Sequence, residues 1–181
     1  MLTKEQIADV EHCVNTHQRR VHITSACRDQ GKKARAEWHE ACDAWHRIRH
    51  IADFMWSSVF LEKLRSSDKE AICDAILFLE CDPWYYRSGY LKAKFVQGLK
   101  LASLSDRDRS RLRKVIMNVA VGRNRCEFRK YCSLARVVGD QSFLLLIEDK
   151  ITKYDSSAQS KLIFLLEYLK MHGFRGCGFK L

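Results

Sequence analysis

The sequence predicts an all-α fold, and three observations carry that expectation. Apolar residues recur at three- and four-residue steps along nearly the whole chain, chain breakers are rare, and helix-start signals return at regular intervals. The 181 residues include one proline and eight glycines, three of them in the last nine positions, which leaves little room for hairpin or βαβ loops. With 46% hydrophobic and 30% charged residues, the chain suits a single domain, 1–181, around one sizeable core.

Taken in order, Thr3 and Gln6 make a capping box, and Ile7, Val10, Val14, His17 and Val21 keep helical spacing behind it. "RDQGKK" (28–33) reads as a turn. A second helical pattern runs through Trp38, Ala41, Trp45, Ile48, Ala52, Met55, Trp56 and Val59, so residues 1–66 read as a long helical hairpin with a bend near residue 52. Ser67 with Glu70 caps a helix carrying Ile72, Ala75, Ile76 and Leu79. "DPW" precedes another with Leu91, Phe95, Val96 and Leu99. Ser105 with Asp108 restarts the pattern at Leu112, Val115, Ile116 and Val119. "GRN" breaks it, and Phe128, Tyr131, Ala135 and Val138 follow, closed by Gly139 as a C-terminal cap. Phe143–Ile151 and Leu162–Met171 form a third pair with a glycine stop at Gly173, and a tail, 173–181, docked or flexible, is anchored by Phe174, Phe179 and Leu181.

The capping signals "SDKE" and "SDRD" stand 38 residues apart, and each opens a helix-turn-helix unit. That period, with short loops and amphipathic pairs, resembles HEAT-type α-solenoid repeats over about residues 67–172. The resemblance implies antiparallel helix pairs in a short right-handed solenoid or bundle. It also implies a role like that of adaptors and inhibitor or immunity-type proteins, which mask another macromolecule.

The formal charge is +10, unevenly placed: residues 1–66 are close to balance, whereas residues 105–138 hold ten basic side chains against three acidic ones. A concentrated excess favours an acidic partner surface over a general solubility coat. No apolar run approaches a membrane span and the start lacks a signal-peptide stretch, so a cytoplasmic location and no membrane partner are expected. The eight cysteines contain no C-x-x-C and most fall among apolar residues, as reduced structural thiols do.

"WHEACDAWHRIRH" (38–50) raises a metal site. On a wheel of 100° per residue, Trp38, Ala41, Trp45, Ile48 and Ala52 fall within about 80°, and His39, His46 and His50 lie about 110–150° from that arc. Cys13 and His17 would stand level with His50 and His46, yet His17 belongs to the apolar stripe of its helix while the other two face away. Boundary histidines, no metal and no cofactor are the expectation. "HE" at 39–40 lacks the second histidine of H-E-x-x-H, and no phosphate-cradling or serine-nucleophile motif occurs. Cys126 and Cys132 sit among arginines that would lower a thiol pKa, but no histidine neighbours them as a base. No catalytic residue is assigned.

"DPWYYRSGY" (82–90) joins four aromatics to an arginine. At least two of Trp84, Tyr85 and Tyr86 are expected to plug the turn, leaving Arg87 and Tyr90 on the surface with Lys94 on the same helical face. Arg125, Arg129 and Arg136 form a stripe at four- and seven-residue spacing, while Arg107, Arg109, Arg111, Arg113 and Lys114 spread around a solvated face. The expected function is a non-enzymatic binding module presenting this basic, aromatic-edged surface to an acidic protein partner. The alternatives are nucleic-acid binding, including a resemblance to HEAT-like DNA glycosylases of which no catalytic position matches, and a helical enzyme or metal protein built on the N-terminal hairpin.

Overall fold

A computed structural model describes residues 1–48, 51–154 and 156–175, and among them the regular structure is helical without a strand. Helix α1 (Lys4–Cys27) begins at the expected box: Thr3 Oγ1 accepts from the Gln6 amide at 3.2 Å, and Gln6 Oε1 accepts from the Thr3 amide at 2.9 Å. The buried Leu2 amide donates to Asp74 Oδ1 at 2.7 Å, which pins the start of the chain to the core. Gly31, at φ 138°, makes the turn into α2 (Lys32–Arg47) in a region that favours glycine. The two helices pack along each other and are joined by an Arg20–Glu40 pair at 2.8 Å. Among the described residues of the apolar arc expected on this segment, Ala41 is fully buried, while Trp38, Trp45 and Ile48 are half-buried and Trp45 packs against the main core.

The second helical pattern does not run on to Val59. Ile48 takes extended backbone, ψ 127°, and a 3-10 helix (Ile51–Trp56) follows. Ser57 then caps α3 (Ser58–Arg65) by accepting from the Phe60 amide at 3.1 Å. A serine with that local hydrogen bond restarts a helix more readily than it continues one. Of the residues the spacing named beyond the break, Met55 enters the core but Val59 is 60% exposed; Phe60 and Leu64, which it did not name, are buried instead because the restarted helix has its own phase.

Helix α4 (Lys69–Cys81) is capped by Asp68, which accepts from the Ala71 amide at 2.9 Å, and not by Ser67. Ser67 sits at φ 68°, outside the extended region an N-cap needs, and its hydroxyl accepts from the Ser103 amide at 2.8 Å. Helix α5 (Ser88–Leu99) follows, and then α6 (Asp106–Val121), whose Ser105–Asp108 box forms as expected. After α7 (Phe128–Val138), Gly139 holds the cap position with extended backbone. Glycine is required there for space, since a Cβ would stand 2.6 Å from both the Ala135 oxygen and the Phe174 ring. Asp140 caps α8 (Gln141–Ile151), and α9 (Ser156–His172) stops at Gly173, φ 63°, whose amide returns to the Leu169 oxygen at 2.8 Å.

Helix α3 packs on α4 and α5, α4 on α6, and α5 on α7. The last pair departs from this order: α9 lies against both α6 and α7, and α8 packs chiefly on α9. One hydrophobic cluster runs from Leu2 to Leu169, with Phe60, Phe78 and Phe95 in edge-on and tilted contact at its centre. Phe174 packs against that cluster and the Arg175 amide donates to the Arg136 oxygen, so the start of the tail is docked; Phe179 and Leu181 lie outside the described residues. No helix among the described residues is long and apolar enough to cross a membrane.

Candidate interaction surface

The loop between α4 and α5 is fixed by a buried charge network. Asp82 ends α4 in the left-handed region, φ 48°, and its carboxylate receives three charge-assisted hydrogen bonds. Lys92 Nζ donates to Oδ1 at 2.6 Å, and Arg125 grips both oxygens at 2.7 and 2.8 Å. The Lys92 side chain is 0% exposed and that of Arg125 is 4% exposed. Burial alone would raise the Asp82 carboxyl, but the hydrogen bonds from Arg125 and Lys92 outweigh it and hold the group below its ordinary range. Burial depresses the Lys92 ammonium, and the Asp82 contact only partly restores it. Glu127 is also buried. Its carboxylate lies under Gly89, where a Cβ would come within 3.3 Å of Oε2, at the positive end of α5.

Helix α1 holds the same loop from the other side. Asn15 Nδ2 donates to the Trp84 carbonyl at 2.9 Å, and the Trp84 amide donates to Glu11 at 3.0 Å. Among the three consecutive aromatics only Tyr85 plugs the turn, against Phe78. Trp84 and Tyr86 remain 43% and 52% exposed, which corrects the expectation that two of the three would be buried. Arg123 stacks 4.0 Å from the Trp84 ring centroid, with Lys92 Nζ at 5.6 Å, and Tyr86 sets its edge against Trp45 at 5.7 Å.

Three of the six residues chosen from sequence come together. Arg87 (φ 67°) lies over the Tyr86 ring, Tyr90 is 71% exposed, and Lys94 stands 5.0 Å from the centroid of Trp56. They line one hollow of about 560 Å³ with Trp56 and Tyr86. The arginine stripe, in contrast, does not exist as a surface. Arg125 is spent inside on Asp82. Arg136 donates to the His172 and Gly173 carbonyls at 2.7 and 3.1 Å, closing the end of α9. Only Arg129 is exposed, near the Phe164 ring. Four- and seven-residue spacing puts side chains on one stripe of a helix, but neighbouring helices decide which parts of that stripe meet water.

The face expected to be merely solvated on α6 also needs correcting. Arg111 pairs bidentately with Glu80 on α4 at 2.7 and 2.8 Å. Arg109 and Arg113 donate to the Val137 and Val138 carbonyls at the end of α7, and Arg113 also reaches Asp140. Lys100 and Lys130, which the sequence reading passed over, face a groove of about 520 Å³ between α5 and α7. Lys130 adjoins Arg129 in sequence, but nothing in the spacing brings Lys100 opposite it.

The cysteine and histidine expectations resolve individually. Burial pushes the Cys132 thiol up to about 12, and the nearby Arg129 opposes this only weakly, so the arginines do not activate it. Exposed Cys126 donates to the Glu127 carboxylate at 3.4 Å. His17 Nδ1 donates to the Cys13 carbonyl at 2.9 Å, His39 lies against Trp38, and His46 lines a hollow with Trp45; His50 lies outside the described residues. Among the described residues no group of three or more His, Cys, Asp or Glu side chains is placed to hold a metal ion. No protein-family model, curated protein or solved structure matches the chain.

Proposed function

We propose that the chain is a non-enzymatic, HEAT-like helical-repeat module whose α5–α7 face binds an acidic protein partner, in the manner of an adaptor or an inhibitor. The repeat reading draws support from equivalent caps at Asp68, Ser105 and Asp140 and from the packing of α4 on α6 and of α5 on α7. The binding reading rests on one observation. Lys94, Lys100, Arg129 and Lys130 have no carboxylate partner among the described residues, and they share a face with the exposed rings of Tyr86 and Tyr90. Tyrosine and tryptophan beside uncompensated cations are the residue types that anchor and steer protein association.

The test is charge reversal on exposed cations that have no carboxylate partner among the described residues. Lys94→Glu, Arg129→Glu and Lys130→Glu together are expected to keep the melting temperature and to weaken a partner isolated on the wild-type protein by more than tenfold. The salt dependence of that binding separates the rival classes. A nucleic-acid ligand loses affinity log-linearly with salt through counterion release, whereas an anchored protein interface loses mainly its steering. Unchanged affinity in the folded variant sinks the assignment of this face.

A further inference from the structure

The last helix pair breaks the stacking order, and the break opens a second surface. Helix α4 packs on α6, but α8 does not continue that row: α9 takes the place against α6 and α7, and α8 packs chiefly on α9. Helices α6 and α8 are left as the two walls of a cleft of about 430 Å³. Its apolar lining is Met117 and Val121 from α6 with Phe143 and Leu146 from α8. Leu146 remains 42% exposed and Tyr154, just beyond α8, 41%, so the cleft stands open to water. The charged part of the lining is Arg113, Lys114 and Lys150, with no carboxylate among the described residues that line it. Arg113 is engaged with Asp140 and the Val138 carbonyl. Lys114 and Lys150 have no ion-pair partner among the described residues, and Asp149, the acid next to Lys150 in sequence, is held by Lys153 at 2.6 Å.

An apolar strip edged by unpaired cations selects an amphipathic anion, and the shape of the cleft narrows the class. On α6 the lining recurs at Ser110, Lys114, Met117 and Val121, a stripe about 16 Å long, which is about three turns of a partner helix. An extended peptide would lay its amides and carbonyls on Met117, Val121, Phe143 and Leu146, where they lose water and find no partner. A helix arrives with those bonds made and turns its polar side to the solvent that the open cleft admits. An acyl chain has no polar side to turn, and would leave part of its length in water. A nucleic acid meets one exposed ring, Tyr154, beside an aliphatic strip that offers its phosphates nothing. We infer that the α6–α8 cleft binds an amphipathic helix of a partner protein. The apolar stripe of that helix, at three- and four-residue steps, lies on Val121 and Leu146, and Asp or Glu along its edges meet Lys114 and Lys150. This site is separate from the α5–α7 face and does not depend on it.

The experiment is selection of a displayed library of helix-forming peptides on the immobilised protein, with subtraction on the Leu146→Asp variant, whose folding is checked by circular dichroism melting. The expected consensus is apolar residues at three- and four-residue steps with Asp or Glu beside them. Lys114→Glu with Lys150→Glu is expected to weaken the selected peptides by about tenfold or more, and exchanging their acids for lysines should restore binding to that variant. Lys150 is half-buried, so Lys114→Glu alone, at an exposed position, carries the test if the double variant melts early, with a loss of about threefold or more. The Lys94, Arg129 and Lys130 reversal is expected to leave these peptides bound, because none of the three lines the cleft, so failure here and failure of the α5–α7 reading are read separately. An empty selection, a consensus lacking the apolar stripe or the acids, or unchanged affinity in the folded Lys114→Glu variant overturns the inference. Equal competition by dodecanoate or by an oligothymidylate overturns it as well, as does self-association that Leu146→Asp abolishes in sedimentation, which would give the cleft to a second copy of the chain.

Discussion

Helix α6 and the exposed α5–α7 face each present several basic residues and use them in opposite ways. On α6, Arg109, Arg111 and Arg113 reach across to a carboxylate of α4 and to the last carbonyls of α7, so their charges are consumed in holding neighbouring helices. On α5 and α7, Lys94, Lys100, Arg129 and Lys130 find no carboxylate among the described residues. The difference teaches that the density of charge in a sequence does not mark a binding surface. A guanidinium with five donors suits helix-end carbonyls and paired carboxylates, and where such acceptors lie within reach it becomes structural. The lysines and Arg129, standing over small residues and rings, meet no such acceptors.

The largest effect that would sharpen this comparison is at Asp82. Asp82→Ala leaves the fully buried Lys92 without its hydrogen-bonded counter-charge and Arg125 with only the Glu127 carboxylate at 3.9 Å; because Asp82 is itself 31% exposed, the expected cost is about 3 kcal/mol, the low end for breaking a buried pair. Urea denaturation is the measurement, and a loss below 1 kcal/mol would mean that the network does not hold the aromatic loop. Next, Arg109→Ala and Arg113→Ala are expected to lose about 1–2 kcal/mol each, as charged hydrogen bonds to the end of α7 are removed. Equal stability in both variants would move α6 back to a solvated face.

Acid denaturation tests the same carboxylates by a second route. Asp82 is held below its ordinary range by Arg125 and Lys92, and Asp140 by Ser142, the Phe143 amide and Arg113. A depressed carboxyl contributes stability that is fully present above its unfolded pKa and is lost as pH falls through its folded pKa. Urea midpoints should therefore hold from neutral pH down to the ordinary aspartate range and decline below it, with a shallower decline in Asp82→Asn. An identical decline in both proteins would remove Asp82 from the cause. The smallest effect belongs to the binding face: Lys94→Glu, Arg129→Glu and Lys130→Glu should each change stability within about 0.5 kcal/mol. A larger loss at any of them, read by thermal melting, would make that residue structural and end the contrast with α6.

Much of the fold was legible because helices are written in short-range pattern. The Thr3–Gln6 and Ser105–Asp108 boxes, the stop at Gly173, and the buried positions on α4 to α7 all depend on residues within one or two turns of each other. The break after Ile48 was hidden because residues on either side of it kept helical spacing while the backbone did not. Of the residues expected at the surface, Tyr90 and Lys94 are exposed together because they share one face of α5 and Arg87 because it stands just before that helix, whereas Arg125 and Arg136 are turned to intramolecular partners, and no local spacing shows that Lys100 lies near Lys130.

The sequence by itself determined that the chain is helical, where several helices begin and end, most of the core positions on α4 to α7, and that one stretch is strongly basic. Those properties follow from hydrogen bonds and side-chain periodicity within a few residues. Only the tertiary structure decided which cations are used up. Arg125 meets Asp82 from 43 residues away, and Arg111 meets Glu80 from 31. Whether a charge is buried and paired or left facing water depends on which helices stack and at what register, a property of the assembled core that no local spacing contains.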